Sequence, residues 1–161
     1  MTREKEVELA SLQITSPDQF GQLLDLIHDE YFEVDEIQYH SERAVVEIPF
    51  RRIFHDSPRR TIRNWLFYRV VEVDVVRARM RVQNVDEYEV YDPEQIGTYS
   101  FNAARYNQDA SFLTLQCEPN LELRMKVSEL LIDCEDLEVR GKSRISYLFG
   151  AIEGSSGKVY E

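Results

Sequence analysis

The sequence predicts a mainly β protein (α+β by strict counting). The expected architecture is a single antiparallel β-meander of about eight strands, a rolled sheet or sandwich, with one N-terminal helix packed across it. Three observations predict it. Runs such as Leu121, Leu123, Met125 and Val127 alternate with Glu122, Arg124 and Lys126, the period of a half-buried strand. Turn residues such as Glu118-Pro119-Asn120 separate those runs at short spacing. Only Phe20, Leu23, Leu24 and Ile27 recur convincingly at i, i+3, i+4 and i+7, one face of a helix.

The helix is expected over about 17–28. Ser16 is placed to cap it, Pro17 suits its first turn, and Gln19 completes a capping box. His28 falls in the expected last turn, where the helix dipole favours it. Strands are expected within about 31–139. Phe32 and Val34 alternate, then Ile37 and Tyr39 alternate one residue out of phase, which predicts a β-bulge at Asp35-Glu36. Ser41-Glu42-Arg43 reads as a turn. Val46, Ile48 and Phe50 share a face, and Pro49 suggests a strand end or sheet edge.

After a polar connection over 51–60, the long run from Thr61 to Val82 is read as two strands, about 62–71 and 73–82, bent near Glu72. Arg77, Arg79 and Arg81 then share one face, with acidic partners expected from Asp86, Glu87 and Glu89 on the next strand. Residues 92–97 form a loop. Tyr99, Phe101 and Ala103 alternate, as do Leu113, Leu115 and Cys117, and then Leu130, Ile132 and Cys134. The glycine-rich tail, 141–161, is expected to be mobile around its Gly-Ser-Ser-Gly-Lys segment, with Ile145, Tyr147, Leu148 and Phe149 packing onto the domain. No repeat or boundary divides the chain, so residues 1–161 are read as one domain.

Composition narrows the function. The net charge is −11, and it is unevenly spread. Residues 51–81 carry nine arginines against Asp56, Glu72 and Asp74, a local charge of +6 that leaves −17 for the rest. Such acidity argues against non-specific nucleic-acid binding, which works by neutralising phosphates. It suits solubility or a basic protein partner. No apolar run approaches the ~18 residues of a membrane helix, and the N-terminus has no apolar signal core. Two cysteines, Cys117 and Cys134, make no disulfide framework, and a cytoplasmic location is expected.

Few residues suggest chemistry. His-Asp occurs twice, at His28-Asp29 and His55-Asp56, and together the pairs would suit a divalent transition metal. Helix-end and loop positions explain both histidines without a metal, so no metal or cofactor is expected. The cysteines fall on apolar strand faces, where a thiol behaves as a small hydrophobe. Gly154-Ser155-Ser156-Gly157-Lys158 lacks the leading glycine, the Ser/Thr and the following helix of a phosphate loop. The least ordinary surface feature is Arg77, Arg79 and Arg81, which a partner or anionic ligand would meet as a stripe. The plainer expectation is that neighbouring carboxylates pair with them.

Three segments, LLDLIHDEYFEVDEI, YSFNAARYNQDASFLTLQ and LELRMKVSELLIDCEDLE, lie within residues 17–138. There the chain resembles small bacterial β-rich proteins, some grouped with the immunity proteins of polymorphic toxin systems. The resemblance implies a protein-binding role and an acidic surface for a basic toxin. It carries over no catalytic or binding residue. The expected function is therefore a non-enzymatic cytoplasmic interaction module. A small-ligand binder using the mouth of a rolled sheet is the alternative, and a metal-dependent hydrolase built on the His-Asp pairs is the third reading.

Overall fold

A computed structural model describes residues 9–53, 60–65, 68–148 and 151–160. It is mostly antiparallel β, in one open sheet, with a single short α-helix near the N-terminus. The strands are β1 (Ser11–Ile14), β2 (Tyr31–Glu33), β3 (Gln38–His40), β4 (Val45–Ile53), β5 (Arg60–Trp65) and β6 (Tyr68–Val82). They continue with β7 (Val85–Tyr91), β8 (Thr98–Asn107), β9 (Phe112–Glu118), β10 (Leu121–Val127), β11 (Ile132–Leu148) and β12 (Ala151–Tyr160). The helix α1 (Phe20–Ile27) joins β1 to β2.

The sheet runs β1-β11-β6-β4-β2-β8-β9-β10-β7, with β3 beside β4, β5 beside β6 and β12 beside β11. It curls until its β7 end returns to the β3–β4 turn. There the Val85 amide donates to the Ala44 carbonyl (2.8 Å), and the Tyr39 hydroxyl donates to the Val85 carbonyl (3.0 Å). The Tyr39 and Tyr88 rings meet edge to face beside them. No ladder joins β7 to β1, so the roll stays open.

Strand alternation builds the core. Val46, Ile48 and Phe50 of β4 face the same interior as Ala78, Met80 and Val82 of β6, and as Ile132 and Cys134 of β11. Leu113, Leu115 and Cys117 of β9 and Leu121, Leu123, Met125 and Val127 of β10 close it from the other side. Helix α1 adds Phe20, Leu23 and Ile27. Its entry is the expected capping box: Ser16 Oγ accepts from the Asp18 amide (3.4 Å), and Gln19 Oε1 accepts from the Ser16 amide (3.2 Å).

Several sequence expectations give way. The first helical turn, Pro17–Gln19, is a 3-10 turn, and His28 lies just past the α-helix as its C-cap. Leu24 is half-buried rather than central, because the face toward the sheet is narrower than four residues in two turns. Val34–Glu36 forms a full 3-10 turn between β2 and β3, not a one-residue bulge. Pro49 sits in the middle of β4, opposite the gap between β3, which pairs up to Glu47, and β2, which pairs at Arg51. Its missing donor therefore falls where the neighbouring strand is interrupted. A bulge between Phe101 and Ala103 shifts the phase of β8, so Ala104 and Tyr106, not Ala103, pack on the core.

The largest difference concerns length. β6 runs unbroken through Glu72 for 15 residues, and β11 runs for 17, into the glycine-rich tail. Beyond the roll, these two strands are flanked by β5 and β12, giving a four-stranded extension in the order β5-β6-β11-β12. The tail segment expected to be mobile is thus strand β12, paired with β11. Among the described residues the sheet holds twelve strands, where about eight were expected. Long shared strands hide this from a sequence reading, because nothing local marks where one pairing partner replaces another.

Candidate functional site

Arg77, Arg79 and Arg81 do share the outward face of β6, since Ala78, Met80 and Val82 are buried. Their carboxylates come from another strand than expected. β6 and β7 form no ladder with each other, because β7 has crossed to pair with β10. Instead Arg77 reaches Glu138 of β11 (3.4 Å), Arg79 pairs with Glu135, and Arg81 lies 3.8 Å from the same Glu135. Glu47 of β4 stands in register with Arg81 on the other side. The stripe is therefore interleaved with acid. Arg79 Nε is buried with no hydrogen-bond partner among the described residues.

The acids expected to serve those arginines are exposed on β7 instead. There Glu87 lies opposite Lys126 and Glu89 opposite Arg124, across the ladder to β10. Arg124 also pairs with Glu122 (2.7 Å) and lies over the Tyr91 ring, 4.9 Å from its centroid. Asp86, at the bulge, and Glu94, in the next loop, are exposed as well. Val90 is in register with fully buried Leu123, yet is itself 38% exposed, because no described strand lies beyond it. Tyr91 and Ile96 are exposed nearby.

A second cluster is internal, and sequence reading missed it. Arg52 continues the inward phase of Val46, Ile48 and Phe50, and Asp136 continues that of Ile132 and Cys134. Arg52 Nε donates to Asp136 Oδ1 (3.1 Å), and its Nη2 pairs with Oδ2 of the same fully buried side chain. Asp136 Oδ2 also accepts from the Ala10 amide (2.8 Å). Close by, Glu30 Oε2 accepts from the Ile53 amide (2.9 Å). Burial pushes the Glu30 carboxyl up to about 7, against the opposing pull of that amide and of Arg52. Charged residues in phase with core positions were the available signal.

His28 Nδ1 lies 3.2 Å from Asp29, and its Nε2 lies 3.3 Å from Asn102 Oδ1, both at the surface. His55 and Asp56 lie outside the described residues. Among the described residues, no group of three or more His, Cys, Asp or Glu side chains is placed to hold a metal ion. Cys117 and Cys134 are buried free thiols, each pushed up to about 12 by desolvation. Among the described residues, no helix is long and apolar enough to cross a membrane. No family model, curated protein or solved structure matches the chain.

Proposed function

We propose that the protein is a non-enzymatic interaction module that engages a basic protein partner, as an immunity-like protein would. One observation supports this reading most: the acid exposed on β7 and the loop after it. Asp86, Glu87, Glu89 and Glu94 are exposed there, with Lys126 and Arg124 as the basic residues opposite on β10. The arginines of β6, by contrast, already stand among carboxylates of β11 and β4. A cytoplasmic setting goes with this reading, since two free thiols sit in the interior.

Co-purification at low salt, followed by binding measurements on the purified captured protein, tests it. The expected partner is basic, its affinity falls as salt rises, and Glu87→Lys with Glu89→Lys weakens it. A partner that is acidic, or indifferent to salt and to both substitutions, overturns the reading.

A further inference from the structure

On one side β7 is fully occupied by β10. On the other, described residues bond only to its first two positions, through the Ala44 carbonyl and the Tyr39 hydroxyl, and the Tyr39 ring packs edge to face on Tyr88. From Glu87 to Tyr91 no described strand pairs with that side, and Glu87, Glu89, Val90 and Tyr91 are exposed. We propose that this edge takes an extended segment of a partner protein as an added strand, one that alternates basic and apolar side chains. The proposal rests on the interaction reading above and names how and where the partner docks.

Two features of the edge define the segment. A backbone edge offers alternating N–H and C=O groups that any extended chain can meet, so the ladder itself selects shape rather than sequence. Side chains supply the selection. On its occupied side, β7 meets Leu123, Arg124, Met125 and Lys126, with the basic pair opposite Glu89 and Glu87 and the apolar pair opposite Val90 and Tyr88. The same two faces of β7 meet a strand on its open side, because side-chain direction does not change with the side of the ladder. An incoming strand therefore needs cations toward the Glu87–Glu89 face and apolar groups toward Tyr88 and Val90. Such a strand would also cover Val90, which its fully buried neighbour Leu123 shows to be on the core face.

A second copy of this chain is a poor occupant. Pairing β7 with another β7 brings acid strand against acid strand, and like charges on neighbouring strands repel. The bulge at Asp86 adds twist that discourages flat edge-to-edge pairing. The edge thus rejects itself and admits its charge complement.

The probe is a capped peptide copying Leu121–Val127, titrated into the isotope-labelled full chain. Amide shifts and slowed hydrogen exchange are expected at Glu87–Tyr91. Replacing its arginine and lysine with glutamate should weaken binding about tenfold or more. Two isomers, N-methylated at alternate backbone positions, then separate strand addition from charge attraction. A ladder uses one edge of the peptide, so one isomer should lose binding about tenfold while the other keeps it. Equal affinity of the two isomers overturns strand addition, as does protection located elsewhere or no binding of the parent peptide. Shifts at the same amides on diluting the protein alone would place a second copy there and overturn it too. Equal isomers that still bind in a salt-dependent way leave the acidic-surface reading standing. A purified partner that ignores salt and charge reversal sinks that reading by itself.

Discussion

Arg52 and Asp136 meet side by side inside the sheet, with Arg52 Nε 3.1 Å from Asp136 Oδ1, although 84 residues separate them in the chain. The carboxylate is fully buried, and the Ala10 amide satisfies it further. Removing the carboxylate would break its buried bonds to the guanidinium and to the Ala10 amide at once. Asp136→Ala should therefore cost on the order of 3–5 kcal/mol in urea unfolding. A loss under about 1 kcal/mol would mean that the pair is solvated and structurally minor.

Glu30 supplies a pH dependence with a definite sign. Its folded carboxyl titrates at about 7, against an ordinary 4.5. Between those values the folded protein holds a proton that the unfolded chain has released. Its stabilising effect is complete below about 4.5 and is lost as pH rises to about 7. Glu30→Gln keeps an acceptor for the Ile53 amide without the charge. Relative to wild type, it should gain on the order of 1–3 kcal/mol on going from pH 5 to pH 8. A constant difference across that window would show that Glu30 is not what titrates.

The helix offers a paired comparison. Leu23 is fully buried, whereas its neighbour Leu24 is half-buried at the margin of the core. Leu23→Ala should cost about 2–5 kcal/mol, and Leu24→Ala clearly less. Equal losses in chemical denaturation would mean that the helix is rotated relative to this packing.

On the surface, Arg77 and Glu138 are both about half exposed. Arg77→Ala should change stability by less than about 1 kcal/mol, and by less still in high salt. A larger, salt-insensitive loss would give that pair a structural weight which its exposure does not suggest.

Both thiols are buried and held protonated by desolvation. Alkylation of Cys117 and Cys134 in the native protein should be slow and should rise only as denaturant unfolds it. Rapid native labelling of either would remove it from the core.

Much of this architecture was legible in the sequence. The capping box at Ser16 and Gln19, the turn at Glu118–Asn120 and the alternation of Leu121–Val127 are local signals, and local geometry obeyed them. Pairing between distant strands was not legible. Arg77 and Asp86 are close in sequence, which suggested a hairpin, but the chain crosses at Gln83-Asn84 and β7 joins β10 instead. Asn84 turns this corner at φ 57, a conformation asparagine tolerates better than most residues. The internal cluster could have been found by phase alone, since Arg52 and Asp136 each extend a run of buried positions. Their residue type alone suggests surface charge, and only their register places them inside. The acid on β7 was visible as composition, but its exposure depends on which strand ends the sheet.

The pairing of β1 with β11 sets the order in which this protein can assemble. Ser11 lies opposite Glu135, and Ile14 opposite Ile132, so the first strand finds its neighbour only after more than a hundred intervening residues have been made. On a ribosome, β1 and α1 emerge long before that neighbour exists. The β8–β9–β10 meander, whose partners are close in sequence, can form as soon as it is released. Closing so long a loop costs entropy that is recovered only when β1 docks. β1 is therefore among the last described strands to find its place, whereas α1 can already settle on β8 of the meander.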